Sequence, residues 1–494
     1  MINPRVCEDC GDCSRTSNCT AVEPIETEFG RKRRIDQSNC NQDFSCVDGF
    51  CPSFVSLIGA EPARPPAPTA TAPPDEPLRV TQTDPWNLVI AGVGGQGVTA
   101  LSAILAMAAH LEERPVRSVD ALGLAQKGGG VYAQLRVGLP NGDALMSPRI
   151  GAGQADLMIA ADLVVAHGRF ARPLLSPGRS VAVLSEGVAP TAEFVLNPET
   201  RLDGEGMRAS LEAACRQVVA LPGARAVEDR FGDLIYLNVW LLGVAYQRGL
   251  VQLGSAAILR ALELNGIEIA RNQAAFNAGR HAALAPERVQ AAETPAALIA
   301  RRVTDLTAYQ GRRYAARYEA FIARVAAVGS DRLTRAVATQ LYRLMAYKDE
   351  YEVARLHSLP EWQAQLRDRF TGTTRIELHL APPFMGGKKR AFGPWMLRAM
   401  GWLRHGRVLR GTVLDPFGYA EERRVEAALP GEYMAGLEAL LPWMATHHDT
   451  VCEWAEAAGG IKGYGHIKAR NLAAARTRMD ALRDSVTMPH VRAA

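Results

Sequence analysis

Apolar and polar positions change their period along the 494 residues, and each change marks a class of element. After Trp86, Leu88-Val89-Ile90-Ala91 form an unbroken apolar run. It feeds Gly92-Val93-Gly94-Gly95-Gln96-Gly97, and the apolar stretch Val98 to Ala109 follows. That order predicts a buried strand, a glycine turn and a helix. Val131, Ala133, Leu135 and Val137 share one face of a further strand, and Leu157 to Ala161 and Val181 to Leu184 read as two more. Strands alternating with helices predict an α/β region to about residue 290 with a largely parallel sheet.

Beyond residue 290 the period is helical. Tyr314, Tyr318, Phe321, Ile322 and Val325 fall on one face that ends at Gly329-Ser330, and Leu333, Val337, Leu341 and Leu344 continue in a second helix. Ile376, Leu378 and Leu380 alternate with Glu377 and His379, a strand stopped by Pro382-Pro383. Asn471 to Arg483 returns to helix. Residues 61 to 78, EPARPPAPTATAPPDEPL, have no apolar period and read as a semi-extended linker. The expected division is a cysteine-rich module at 1–57, a Pro/Ala-rich linker at 58–84, an α/β domain at 85–290 and a mainly helical α+β extension at 291–494. A linker of this kind predicts that the first module docks elsewhere, for instance on another subunit.

Composition narrows the class. A hydrophobic content of 48% on this length supports several cores, in about two to four domains. The richest apolar stretch, Val98 to Ala109, is shorter than the about 20 residues that cross a bilayer, so no membrane span is expected. A net charge of +4 gives no support to a nucleic-acid partner. The opening MINPRVCEDC has no apolar signal segment, which predicts a cytoplasmic protein and disfavours disulfides.

The chemistry lies in the cysteines. Seven of the nine fall in the first 51 residues, and Cys7, Cys10 and Cys13 have the CxxCxxC spacing that wraps an iron-sulfur cluster. Thiolates suit soft iron, and two-residue gaps let successive sulfurs point inward from one tight loop. Such a triplet takes its fourth ligand from a remote Cys-Pro, here Cys51-Pro52, so one four-iron cluster on Cys7, Cys10, Cys13 and Cys51 is the first assignment. Cys19, Cys40 and Cys46 remain, as ligands of a second, three-iron cluster or as supporting thiols. A zinc knot is the competing reading, but it normally repeats the CxxC pair, whereas Cys46 and Cys51 are separated by four residues. Arg31-Lys32-Arg33-Arg34 lies between the two sets. It either favours a reduced cluster and attracts an acidic electron carrier or is a solvated loop.

Gly92, Gly94 and Gly97, with Gly95 between them, match GxGxxG after a strand and before a helix, where glycines allow close approach to a phosphate. They can equally serve only to pack helix on strand. Asp120 is the candidate ribose acid of a self-sufficient NAD-linked oxidoreductase, though late in position. Lys127, in Gln126-Lys127-Gly128-Gly129-Gly130, can meet an anion but does not follow the P-loop order. Gly386-Gly387-Lys388-Lys389-Arg390 and Lys462-Gly463-Tyr464-Gly465-His466 read as surface loops. His379 and His466 have no paired nucleophile and are given no catalysis, and Cys215 and Cys452 read as core residues.

Taken together, CEDCGDCSRTSNC, ETEFGRKRRI, CPSF, AGVGGQGV, AQKGGGV and GYGHIKARN resemble the C-terminal half of bacterial indolepyruvate:ferredoxin oxidoreductases, over nearly the whole chain. The middle part is similar to the gamma domain of the wider 2-oxoacid:ferredoxin oxidoreductase family, and the residues after 290 resemble the extension of the long bacterial enzymes. The resemblance implies an α/β fold class: an N-terminal iron-sulfur module, a Rossmann-like gamma domain and a mostly helical C-terminal domain with a small β element. In that family a 2-oxo acid is decarboxylated on thiamine diphosphate, electrons leave singly through iron-sulfur clusters, and the acyl group passes to coenzyme A. No GDG sequence with a following asparagine is present to bind magnesium and thiamine diphosphate. The resemblance therefore implies a thiamine diphosphate-binding partner subunit, with ferredoxin or a similar carrier taking the electrons. The non-catalytic alternative is a zinc-knotted scaffold subunit.

Overall fold

The computed structural model describes residues 1–37, 39–63, 72–79, 84–122, 129–140, 142–188, 203–285, 293–381 and 389–487. The cysteine-rich segment holds a short helix α1 (Asp12–Ser17), an antiparallel hairpin of β1 (Val22–Thr27) and β2 (Gly30–Ile35), and β3 (Val55–Ile58). The α/β region follows with β4 (Trp86–Val93), α2 (Val98–Leu111), β5 (Val116–Leu122), β6 (Gly130–Val137), β7 (Leu157–Ala160), β8 (Val181–Ser185) and β9 (Gln217–Leu221). Its sheet has the order β9-β8-β7-β4-β6-β5.

β4 is buried along its whole length, which is why it reads as continuous apolar residues. It pairs in parallel with β7 and antiparallel with β6. The expectation of a largely parallel sheet holds for β9, β8, β7 and β4 and fails at β6. The alternation at Val131 to Val137 carries the reason. A strand whose burial alternates has one face less covered, the habit of antiparallel pairs, and β6 buries every second residue toward its end. Three further helices complete its core: α3 (Leu237–Gln247) packs on the sheet, α5 (Ile269–Leu284) on α3, and α4 (Ser255–Asn265) on α2 and α5. α3 and α5 cross at Gly243 and Gly279, where an added Cβ would strike the Phe276 and Trp240 carbonyl oxygens.

The residues after 290 form α6 (Pro295–Gln310), α7 (Arg312–Ala326), α8 (Asp331–Met345), α9 (Glu350–His357), β10 (Arg375–Leu380), β11 (Arg390–Phe392), α10 (Glu421–Leu440), α11 (Met444–Ala457) and α12 (Gly465–Thr487). The predicted faces are the buried ones: Tyr318, Phe321, Ile322 and Val325 of α7 pack with Leu333, Val337, Leu341 and Leu344 of α8. Among the described residues no helix is long and apolar enough to cross a membrane.

The cysteine-rich segment, which the linker suggests docks elsewhere, packs on the helical part of its own chain. β3 pairs antiparallel with β10, which pairs on its other edge with β11. Val6, Phe54 and Val55 share a core with Val353, Leu356, Trp362 and Met400. The described linker residues are tied down as well: Arg280 of α5 donates to the Pro74 carbonyl (2.8 Å), and the His281 ring bonds the Ala72 carbonyl (2.8 Å). A proline-rich composition removes apolar period without removing the carbonyls by which a chain is held.

Candidate metal centre

The loop Cys7 to Cys13 turns through left-handed backbone at Asp9 (φ 53°) and Gly11 (φ 71°), and Cys13 then enters α1. Cys51 comes from the far side of the loop that follows Cys46. That loop approaches closely at Gly49, where an added Cβ would lie 3.0 Å from the Cys13 Cα. Cys7, Cys10, Cys13 and Cys51 are all buried. Burial pushes the thiols of Cys7, Cys10 and Cys13 up, and charge on Cys51 pushes each further in the same direction. Polar hydrogens are aimed at the sulfurs: Asp9 N–H at Cys7 Sγ (3.4 Å), Asp12 N–H at Cys10, and the Ser53 hydroxyl against Cys51 Sγ (2.8 Å). The Ser14 hydroxyl, beside Cys13, is buried without a hydrogen-bond partner among the described residues.

The remaining thiols form a second neighbourhood. Burial, opposed by the nearby Met1 ammonium and helped by Cys19 and Cys40, pushes Cys46 up to about 11. The Met1 ammonium itself is pulled down to about 6 by burial, against the charges of Cys46 and Cys40. Among the described residues no three His, Cys, Asp or Glu side chains are arranged to hold a metal ion. The thiols of each set act on one another without converging as the ligands of a single ion do.

The Arg31 to Arg34 run is no solvated loop. It is β2, with Arg33 fully buried. Arg31 and Arg33 pair with Asp9 (3.2 and 2.8 Å), and Lys32 donates to the Cys7 carbonyl (2.9 Å). Arg34 pairs with Glu23 and, through Nη1 (2.8 Å), with Glu228 of the α/β region. More donors arrive from the residues after 290. Lys348 Nζ bonds the Val6 and Cys7 carbonyls (3.2 and 3.1 Å), and the Tyr464 hydroxyl donates to Val6 (2.6 Å). Lys389 Nζ bonds the Val47 and Gly49 carbonyls (2.7 and 2.5 Å), and His357 Nε2 bonds the Pro52 carbonyl (2.9 Å). Sequence reasoning missed all four. Residues 386–388 lie outside the described residues, and the reading of 386–390 and 462–466 as surface loops fails at Lys389 and Tyr464: Gly463 (φ 108°) passes with a would-be Cβ 3.3 Å from the Cys10 Cβ, and His466 meets the Phe50 ring edge-on (4.8 Å). His379 is bonded to the Ser56 hydroxyl (2.8 Å) in the β3–β10 sheet.

The glycine turn lies at the C-terminal end of β4. Gly95 (φ 97°) and Gly97 (φ 79°) adopt left-handed backbone, which glycine tolerates without strain. The turn is filled partly by itself: Gln96 Oε1 accepts from Val93 N–H (2.8 Å), and Gly94 N–H donates to the Gly129 carbonyl (3.0 Å). An added Cβ at Gly92 would lie 2.9 Å from both Gln96, in the turn, and Val98, in the helix that follows. Gly94 and Gly95 border a cavity of about 1110 Å³ whose opposite wall is the β1–β2 hairpin, with Glu23, Arg31 and Arg34. Lys127 lies outside the described residues. Asp120 is exposed on β5, with β6 between that edge strand and β4, so it does not stand beside the turn. Cys215 and Cys452 are buried, Cys452 within the helical core.

Residues 87–282 match the pyruvate ferredoxin/flavodoxin oxidoreductase family, and residues 295–481 match a family of unknown function (DUF6537). The indolepyruvate oxidoreductase subunit IorB of Methanothermobacter thermautotrophicus is 28% identical over 160 residues, covering 32% of this chain and 77% of that protein. The subunit of the same name from Archaeoglobus fulgidus is 30% identical over 164 residues, covering 32% and 75%. Among solved structures, the gamma subunit of a keto/oxoacid ferredoxin oxidoreductase from Geobacter sulfurreducens aligns with 41% of this chain and 99% of its own, at 18% identity and a TM-score of 0.29. The strand, glycine turn and helix from Trp86 lie within the matched stretch, and the chain belongs to the pyruvate ferredoxin/flavodoxin oxidoreductase family as an oxidoreductase subunit of the indolepyruvate type.

Proposed function

We propose that this chain is the electron-exit and accessory subunit of an indolepyruvate-type 2-oxoacid:acceptor oxidoreductase, which converts aryl pyruvates to acyl-coenzyme A. Thiamine diphosphate and magnesium belong to a partner outside these residues, and ferredoxin or a similar carrier takes the electrons. The observation that carries the reading is the grouping of Cys7, Cys10, Cys13 and Cys51: buried, mutually interacting and met by N–H and O–H donors. When bound, a four-iron cluster takes up and releases one electron at a time. The residues around it exclude water, and the donors aimed at the sulfurs favour the thiolate form. Cys19, Cys40 and Cys46 are proposed as a second set for a three-iron cluster. Gly92, Gly94, Gly95 and Gly97, with Lys127, are proposed to take the diphosphate of coenzyme A.

Purification of the full chain without oxygen, with iron and labile sulfide counted and the reduced protein examined by electron paramagnetic resonance, tests the reading. A cluster signal lost in Cys13→Ser and Cys51→Ser and kept in Cys215→Ser supports it. A colourless protein with stoichiometric zinc and no labile sulfide sinks it.

A further inference from the structure

Residues 295–481 carry no assigned activity, yet they supply the side chains that grip the cysteine loops. Lys348 and Tyr464 hold the carbonyls of Val6 and Cys7, at the first ligand. Lys389 holds Val47 and Gly49, in the loop that ends at Cys51. His357 holds Pro52, the next residue. Each donor reaches a backbone carbonyl, so the loop path is fixed whatever the side chains do. Charge separates the two lysines. Lys348 is ion-paired with Glu8, so its positive charge is answered. Lys389 has no ion pair among the described residues; it lies 4.4 Å from the centre of the Phe54 ring, and burial lowers its pKa against the opposing charges of Cys51, Cys13 and Cys46. Asp12, the carboxylate whose charge reaches it, accepts from the Phe50 N–H (2.8 Å) instead.

We infer that the C-terminal part of the chain is the cradle of the cluster, with Lys348, His357 and Tyr464 holding the ligand loops and the unanswered charge of Lys389 setting the reduction potential. The inference rests on the cluster assignment above. A cluster bound by four thiolates is anionic and gains a negative charge on reduction, so a fixed cation nearby in a low dielectric favours the reduced form. Lys389 is a positioning residue and donates nothing to the reacting atoms.

The test is potentiometry followed by electron paramagnetic resonance on the full-length chain prepared without oxygen. Lys389→Gln is expected to keep its iron and to shift the reduced-to-oxidised ratio about tenfold toward oxidised, a midpoint lower by about 59 mV for one electron, while Lys389→Arg stays within about a third of that shift of the unsubstituted chain. Loss of iron from Lys389→Gln with retention in Lys389→Arg also supports the inference, since the grip then depends on the cation. Full iron with an unchanged midpoint in Lys389→Gln overturns the role of the charge. Tyr464→Phe is expected to lose iron to a chelator several-fold faster, and an unchanged rate overturns the cradle. An unsubstituted chain without iron overturns the cluster assignment itself, a failure visible before any variant is made.

Discussion

The pair Arg410–Asp349 places a buried charge at the N-terminus of α9, the helix that ends at His357. Arg410 Nε and Nη2 bond the two Asp349 oxygens at 2.6 and 2.8 Å, and the side chains are 3% and 4% exposed. The guanidinium lies 3.8 Å from the centre of the Tyr309 ring and bonds the Tyr309 carbonyl (3.2 Å). Asp349 also caps α9 by accepting from Glu352 N–H (2.8 Å). Arg410→Met keeps most of the volume but leaves a carboxylate buried without its cation, and breaking such a pair costs about 3–5 kcal/mol. The cap bond remains, so the lower end of that range is expected. Arg410→Met combined with Asp349→Ser keeps a capping oxygen and removes the charge, and is expected to recover at least half of the loss. A chain with several cores does not unfold in one step, so the assay is hydrogen exchange of the α9 amides, supported by urea unfolding. A single variant costing less than about 1 kcal/mol, or a double variant no better than the single, refutes the reasoning. Because α9 ends at His357, exchange at Cys51 is expected to rise with it.

Burial pushes His357 from 6.5 down to about 4, against the pull of the Pro52 carbonyl. The neutral ring is the folded form, so its contribution is complete above the unfolded value and lost as pH falls toward the folded one. Between about pH 7.5 and about pH 5.5 the loss is about 1.3 kcal/mol, absent in His357→Gln; equal pH slopes in the two proteins sink the idea. Gly279→Ala is expected to force α3 and α5 apart, at a cost of about 2 kcal/mol read as faster hydrogen exchange of the α3 and α5 amides, since its Cβ meets the Trp240 carbonyl oxygen. A variant whose α3 and α5 amides exchange as in the unsubstituted chain refutes the close crossing.

Elements packed against regular neighbours were legible because burial writes itself into the period. β4 is covered on both faces and appears as an unbroken apolar run, and α7 and α8 bury one stripe each. The proximity of Cys7, Cys10 and Cys13 was legible for a simpler reason: they are neighbours in sequence, so spacing alone places them in one loop. β2 was not legible, because Arg31 to Arg34 is a strand held by ion pairs and carbonyl bonds instead of apolar contacts. A run of charges looks the same whether water or Asp9 and Glu228 answers it.

The cradle was hidden more deeply. A backbone carbonyl accepts from any lysine, tyrosine or histidine that reaches it, so Lys348, Lys389, His357 and Tyr464 needed no shared spacing and left none. Their partners lie hundreds of positions away in sequence, and the pairing of β3 with β10 and the core the two regions share bring them together. One local trace did exist. Glycine stands on both sides of Tyr464, Gly463 and Gly465 both have positive φ, and a Cβ at either would press on Cys10 or Phe50. Two such glycines around an aromatic residue mark a backbone that must pass close to something, and a surface loop has nothing to pass close to.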